Sequence, residues 1–191
     1  PTFTNGLTGW GSRLPSERPT SRAWDSRKGL LLWRGSVGRA NHNLGRDHLL
    51  SDSRARPDLI DAKATDATAS AAGARSADAS HGANSSSSAS PFFLSWAEQA
   101  GYKYVAVTEG VARTQSWRLR ATLALGAAAF VERRDAAIDY AQSRSVAHTW
   151  FSPFLVPNEH FVPVHAEFAN AAERVDWARR NDATVRSIAQ R

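Results

Sequence analysis

Two pairs of hydroxyl and guanidinium side chains carry most of the chemistry that this sequence suggests. Ser36 and Arg46 follow a short apolar run, and Ser116 and Arg118 open a helix-forming run further along the chain. A guanidinium group can bind two phosphate oxygens at once, and a hydroxyl with backbone N–H groups completes a cradle for a diphosphate. Each arginine taken alone is more typical of a solvent-exposed or ion-paired surface residue, but Arg46 and Arg118 together at one edge favour an anionic ligand.

The second pair lies in a stretch with the pattern of strand, loop and helix. Residues 102–108 are β-branched and aromatic, which predicts a buried strand. Residues 109–116 are polar and predict a loop, and residues 117–125 are rich in helix formers before Gly126, a predicted stop. Such a unit can place an anion at the start of its helix.

The predicted loop also offers groups that suit a nucleoside. Gly110 allows the backbone at Val111 and Ala112 to approach a flat base or a ribose. The carboxylate of Glu109 can accept hydrogen bonds from ribose hydroxyls. The loop is therefore predicted to contact the nucleoside beside the diphosphate.

The remaining apolar runs predict short strands that alternate with helices. Residues 29–33 form a predicted strand before Arg34, Gly35 and Ser36, and residues 59–62 form a second strand with Asp61 at its end. Pro163 places its strand near a sheet edge, and Asp182 is predicted to cap the last helix. The other predicted strands are residues 127–132 and 160–164, and the predicted helices are residues 46–53, 91–100, 133–147, 171–180 and 183–190.

This alternation predicts an α/β fold with a Rossmann-like, mostly parallel sheet that helices cover on both faces. Such sheets bind ligands at the carboxyl ends of their strands. Residues 34–36, Asp61 and residues 109–118 all fall at that edge in the predicted order. The convergence of these residues is the main argument for a phosphate-bearing ligand.

Composition is consistent with one domain and excludes several classes of site. The 191 residues carry a formal net charge of +6, which suits an anionic partner, and there is no cysteine for a disulfide or a thiolate zinc site. Residues 1–27 are predicted to be an extended lead-in to an α/β domain of residues 28–191, and residues 64–90 a disordered low-complexity insertion. No methionine is present, so a fragment of a longer chain is expected.

Common signatures of other function classes are missing. The sequence has neither Gly-x-Gly-x-x-Gly nor Gly-x4-Gly-Lys-Ser/Thr, and its histidines show no spacing typical of a metal site. No apolar run approaches the roughly 18 residues of a transmembrane helix. Arginine and tryptophan are interleaved as in some RNA-binding proteins, but no recognised nucleic-acid motif accompanies them, so no nucleic-acid partner is expected.

Three stretches, in order, resemble the family-90 glycosyltransferases. These include the Rumi-type protein O-glucosyltransferases and the fungal capsule xylosyltransferases. The stretches are LLLWRGSVGRANHNLGRDHLLSDSRARPDLIDA, YKYVAVTEGVARTQSWRLRATLALGAAAF, and FSPFLVPNEHFVPV followed by ERVDWARRNDATVRSIA. The resemblance covers most of residues 24–190.

The resemblance implies the C-terminal, donor-binding half of a two-domain GT-B glycosyltransferase. Members of the family transfer a sugar from a UDP-sugar to a protein or glycan hydroxyl, with inversion at the anomeric carbon and without a bound metal or other cofactor. It also implies the lumen of the endoplasmic reticulum or Golgi, or secretion. The donor-binding residues that it implies are Ser36, Arg46, Val111, Ala112, Ser116, Trp117 and Arg118, with Arg34, Gly35, Glu109 and Gly110 as further candidates.

The sequence departs from the family pattern in several ways. Two extra residues lie between Ala112 and Ser116, so residues 113–115 are given no role; the loop between Ser36 and Arg46 is longer, and the Ala- and Ser-rich insertion is not a family feature. The catalytic base of the family is an aspartate of the N-terminal half, so no catalytic residue is assigned here, and donor binding without turnover is expected. A non-catalytic interaction domain, truncated or degenerate, is the alternative, and a basic RNA-binding protein is a further one.

Overall fold

A computed structural model describes residues 23–37, 44–65, 92–108, 118–132 and 154–191. Its centre is a five-stranded sheet in the order β2-β1-β3-β4-β5, and every strand pairing in the described part is parallel. The predicted α/β class with a parallel sheet is therefore confirmed. The strands are β1 (Lys28–Gly35), β2 (Ile60–Ala64), β3 (Tyr102–Val107), β4 (Ala128–Glu132) and β5 (Val162–Val164).

Five helices accompany the sheet in the described part of the chain. Short 3-10 turns at Trp24–Ser26 and Ala166–Phe168 precede β1 and follow β5. No described helix is long and apolar enough to cross a membrane. The helices are α1 (Leu44–Ala55), α2 (Trp96–Gln99), α3 (Arg118–Ala124), α4 (Ala171–Arg180) and α5 (Asp182–Gln190).

Both faces of the sheet are covered, as an all-parallel sheet requires. Side chains of α1, α4 and α5 pack on one face in a cluster that contains Trp33, Tyr104 and Phe130. On the other face, Leu119 of α3 packs with Val107, and a neighbouring cluster of strand residues packs against the segment before α2. The strands are apolar at consecutive positions, and consecutive side chains of a strand point to opposite faces, so both faces of the sheet form a core. Each fully buried aliphatic or aromatic side chain contributes about 1.5–3 kcal/mol to folding.

Several local predictions are confirmed, and others are wrong. Gly126 ends α3 with a φ of 59°, the left-handed conformation that glycine adopts most readily, and β5 with Pro163 is an edge strand. The helix predicted at residues 91–100 is shorter, because Ser95 and Glu98 form a capping box that starts α2 at Trp96. The predicted helix at 133–147, most of the lead-in and most of the insertion lie outside the described residues.

The prediction that Asp182 caps the last helix is also wrong. Asn181 occupies the capping position, and no side chain makes a capping hydrogen bond there. Asp182 instead accepts hydrogen bonds from Trp24 Nε1 at 2.9 Å and from Lys103 Nζ at 2.8 Å. These two long-range charge-assisted bonds join α5 to β3 and to the first turn, so tertiary partners displace the local one.

We predict that Asp182→Ala lowers the free energy of unfolding by roughly 1 kcal/mol, because it removes both bonds from a half-exposed carboxylate. Burial raises the pKa of Asp182, but the bonds from Lys103 and Trp24 lower it on balance. The contribution is therefore present at neutral pH and lost as the pH falls through the lowered pKa. Urea unfolding at pH 7 and pH 3 measures both effects. The control is Asp176→Ala on α4, whose contact with Arg56 spans 3.9 Å between exposed side chains; equal losses for both variants would contradict the prediction.

Candidate functional site

The strand order reverses between β1 and β3, and this reversal creates a crevice. The chain leaves β1 towards β2 on one side and returns to β3 on the other. The helices that follow these two strands consequently lie on opposite faces: Leu49 of α1 is in the core cluster with Trp33, and Leu119 of α3 packs with Val107. In sheets of this order, ligands bind outside the carboxyl ends of the strands at the reversal.

Arg46 and Arg118 enter this crevice from the two faces and meet over the end of β1. Nη1 of Arg46 on α1 donates a hydrogen bond to the carbonyl oxygen of Ser36 at 2.6 Å. Nη2 of Arg118 on α3 donates a hydrogen bond to the carbonyl oxygen of Arg34. The structure therefore brings together two arginines that are far apart in the sequence and that were predicted to share one sheet edge.

A third guanidinium, that of Arg34, lies close enough to influence the pair. Burial is the main cause that lowers the pKa of Arg118 to about 10, and the positive charges of Arg46 and Arg34 lower it further. All three side chains are nevertheless charged at neutral pH. Concentrated like charges at the mouth of a crevice are typical of binding and catalytic sites, because an anionic ligand relieves their repulsion. We call Arg34, Arg46 and Arg118 the arginine cluster.

Within the arginine cluster, the side chain of Arg34 is committed to the protein itself. Nη1 donates hydrogen bonds to the carbonyl oxygens of Trp33 at 2.8 Å and Asp61 at 2.7 Å, and Nη2 donates one to Asp61 Oδ1 at 2.8 Å. Only 7% of the side chain is exposed. Arg34 therefore adds charge and a backbone acceptor to the site, while its terminal nitrogens point to Asp61.

Asp61 does not stand at the end of its strand, as the sequence predicted. It is the second residue of β2, beside Leu32 of β1, because the strand continues to Ala64. Its second carboxylate oxygen accepts a hydrogen bond from the hydroxyl of Tyr102 at 2.6 Å. Burial raises the pKa of Asp61, but the Tyr102 hydroxyl and Arg34 outweigh burial and lower it on balance.

Tyr102 is the residue of this network that sequence reasoning did not identify. It was assigned only to a buried strand, yet its hydroxyl reaches across β1 to β2. Burial and the bond to Asp61 raise the pKa of Tyr102 to about 12. A signal did exist in the sequence: an aspartate inside an apolar strand needs a partner, and a tyrosine at the start of a neighbouring strand can provide a hydroxyl.

Gly35 and Ser36 complete the end of β1. Ser36 is half-buried, and its carbonyl oxygen is the acceptor for Arg46. A Cβ atom on Gly35 would lie 2.7 Å from Cζ2 of Trp33, and the indole N–H of Trp33 donates a hydrogen bond to Thr108 Oγ1 at 3.2 Å. The indole of Trp33 thus explains why a glycine stands at position 35.

Six of the predicted site residues lie outside the described residues. They belong to the segment between β3 and α3, which begins directly after Thr108. They are Glu109, Gly110, Val111, Ala112, Ser116 and Trp117. Among the residues that the structure does describe, no group of three or more histidine, aspartate and glutamate side chains could hold a metal ion.

A cavity of about 510 Å³ lies away from the arginine cluster, between the turn that precedes β1, the end of α3 and the end of α5. Its arginines are engaged by the protein: Arg27 donates hydrogen bonds to the carbonyl oxygens of Leu125 and Gly126, and Arg191 pairs with Glu159 at 2.5 Å. Arg27 thereby satisfies carbonyl groups at the end of α3. The crevice at the end of β1 is therefore the better candidate for a functional site.

We predict that Gly35→Ala destabilises the fold by about 1–3 kcal/mol, because its Cβ overpacks the indole of Trp33. Adding Trp33→Phe, which removes the outer ring of the indole, relieves the clash, so the double variant loses less stability than the sum of the single variants. Gly29→Ala on the same strand is the control, since its nearest atom is 3.7 Å away. Urea unfolding compares the natural chain with the two single variants at positions 33 and 35, their combination and Gly29→Ala. Additive losses of stability in the double variant, or equal losses at positions 29 and 35, would show that the indole is not the constraint.

Comparison with known proteins identifies the family of the chain. The sequence matches the model of glycosyl transferase family 90 over residues 13–191. It is similar to uncharacterized protein 027R of Frog virus 3 (isolate Goorha), with 30% identity over 177 residues, which are 87% of this chain and 17% of the viral protein. It is also similar to uncharacterized protein 035R of Invertebrate iridescent virus 3, with 30% identity over 97 residues, which are 51% of this chain and 8% of that protein. The chain thus spans less than a fifth of the length of these viral relatives. Because the family model matches nearly the whole chain, the protein belongs to glycosyl transferase family 90.

Proposed function

We propose that the chain binds a UDP-sugar in the crevice at the end of β1, as the donor-binding part of an inverting, metal-independent glycosyltransferase. The acceptor in this proposal is a hydroxyl of a protein or a glycan. Membership of the family supports glycosyl transfer as the reaction class. The single observation that carries the choice of donor is the meeting of Arg46 and Arg118 over the end of β1.

The charge of the arginine cluster suits a diphosphate. Asp61 neutralises Arg34 through a contact of 2.8 Å, and in this proposal the guanidinium groups of Arg46 and Arg118 bind the diphosphate. A nucleoside diphosphate carries at least two negative charges at neutral pH, and guanidinium groups bind phosphate oxygens with favourable geometry. The ligand would therefore offset the repulsion that the cluster generates in the free protein.

The positions of the two guanidinium groups also suit the chemistry of the leaving group. When the bond between the anomeric carbon and the β-phosphate oxygen breaks, negative charge develops on the departing UDP. Arginines held in place by backbone carbonyl oxygens stabilise this charge without having to reorganise. In the proposed reaction the UDP-sugar is a substrate, and the arginines supply the charge that a metal ion supplies in other glycosyltransferases.

The remaining steps of the proposal concern the acceptor and the nucleoside. Val111 and Ala112 are proposed to contact the nucleoside, and Ser116 and Trp117 to flank Arg118 at the diphosphate. Among the described residues we assign none as the base that deprotonates the acceptor hydroxyl. The chain is thus proposed to hold and polarise the donor.

We predict that Arg118→Gln lowers the affinity for UDP by about 10- to 100-fold, because it removes a charge-assisted bond worth roughly 1.5–3 kcal/mol. Isothermal titration calorimetry with UDP measures the effect. The matched control is Arg179→Gln: Arg179 also donates hydrogen bonds to two backbone carbonyl oxygens, those of Gly29 and Asp58, but it lies at the opposite end of β1. Unchanged affinity in Arg118→Gln, or an equal loss in both variants, would contradict the proposed donor site.

We also predict that Arg118→Gln leaves the free energy of unfolding at pH 7 unchanged or raises it, whereas Arg179→Gln lowers it. The pKa of Arg118 is about 10 in the folded chain, below its usual value, so the folded state holds this proton less tightly than the unfolded state does. The resulting cost to stability is present at neutral pH and is lost only as the pH rises above about 10. Thermal unfolding without ligand tests the prediction; a clear loss of stability in Arg118→Gln would show that the cluster is a structural element.

A further inference from the structure

We infer that Tyr102 and Asp61 are positioning residues of the donor site. They hold Arg34 and thereby the backbone carbonyl oxygen at the end of β1 that accepts a hydrogen bond from Arg118. The inference deepens the proposed function and rests on it. Neither residue contacts the donor in this arrangement. Their effect on binding is transmitted through Arg34.

The positioning network spans three neighbouring strands. The hydroxyl of Tyr102 on β3 donates to one carboxylate oxygen of Asp61 on β2 at 2.6 Å, and the other oxygen accepts Nη2 of Arg34 on β1 at 2.8 Å. Both oxygens of Asp61 are therefore used, and its carboxylate plane is held from two sides. Because the carbonyl oxygen of Asp61 also accepts Nη1 of Arg34 at 2.7 Å, the guanidinium is clamped at both terminal nitrogens.

The clamp on Arg34 extends to its own backbone. Nη1 of Arg34 also donates to the carbonyl oxygen of Trp33 at 2.8 Å, so the guanidinium braces the peptide unit that precedes Arg34. The carbonyl oxygen of Arg34 in turn accepts Nη2 of Arg118. A shift of the Arg34 side chain would therefore move the acceptor that orients Arg118.

Charge gives Asp61 a second effect on the site. The positive charge of Arg34 opposes the charge on Arg118 across the crevice. Asp61 holds a compensating charge 2.8 Å from Arg34, in a side chain that is only 20% exposed. Without that carboxylate, the third guanidinium of the cluster would be uncompensated and would repel the two that are proposed to bind the diphosphate.

The neighbouring Tyr104 provides a control for a purely structural role. Tyr104 lies two residues further along β3, is fully buried, and packs its ring 5.4 Å from that of Phe130. Its hydroxyl is buried and has no hydrogen-bond partner among the residues that the structure describes. Tyr→Phe at either position keeps the packed ring and removes one hydroxyl, but only the hydroxyl of Tyr102 belongs to the network.

The experiment titrates the full chain with UDP and, at millimolar concentration, with uridine. We expect Tyr102→Phe to weaken UDP binding by about 3- to 10-fold, the usual effect of one lost hydrogen bond, and to leave uridine binding unchanged. Tyr104→Phe should change neither. A general loosening of the fold would weaken both ligands, so the ratio of the two affinities separates positioning from stability.

A double-mutant cycle with Arg118→Gln tests the route through Arg34. If Tyr102 acts through Arg118, its removal has little further effect on UDP affinity once Arg118 is replaced. Independent, multiplicative losses would overturn the inference. Asp61→Asn removes the charge and replaces one of the two acceptor oxygens with an NH2 donor, so it should also weaken UDP binding more than uridine binding.

The remaining outcomes distinguish a failure of the positioning role from a failure of the proposed donor site. If the natural chain binds UDP and Tyr102→Phe binds it as well as Tyr104→Phe does, positioning by Tyr102 is overturned while the donor site stands. If Tyr102→Phe weakens UDP and uridine equally, its role is structural and the inference is again overturned. If the natural chain binds no UDP, the proposed function fails, and the positioning role fails with it.

Discussion

The repulsion among three guanidinium groups at the end of one strand is the constraint on which the rest of this structure depends. Arg34, Arg46 and Arg118 come from a strand and two helices on opposite faces of the sheet, and the charges of the other two lower the pKa of Arg118. Such a cluster costs stability in the free protein. It persists because backbone carbonyl oxygens and a buried carboxylate hold its members in place, while the core on both faces supplies the free energy.

The parallel sheet brings the three arginines of the cluster to one strand end. Reversal of the strand order between β1 and β3 sends α1 and α3 to opposite faces, and their first turns then flank the same strand end. The carbonyl oxygens of residues 34 and 36 lie beyond Leu32, the last residue of β1 that pairs with β3, so they can accept hydrogen bonds from side chains. Membership of glycosyl transferase family 90 supports the proposal that this crevice is a donor site.

Sequence reasoning succeeded where the signal was local and apolar. Alternating runs predicted the parallel sheet, Gly126 predicted the end of α3, and Pro163 predicted an edge strand. Sequence reasoning failed where a polar side chain binds a distant partner in place of the expected local one. Asp182 was assigned to a helix cap but binds Lys103 and Trp24, and Asp61 was placed at a strand end but lies inside β2.

The sequence by itself determined the fold class and the two arginines that were expected to share an edge, because apolar periodicity sets the elements and parallel strands bring their carboxyl ends together. Only the tertiary structure decided the partners of those arginines. The carbonyl oxygen that orients Arg118, the commitment of Arg34 to Asp61, and the hydroxyl of Tyr102 all depend on strand register across β2, β1 and β3. Hydrogen bonds are short-ranged and directional, so a partner 41 or 84 residues away is selected by the packed geometry and leaves no periodic trace in the chain.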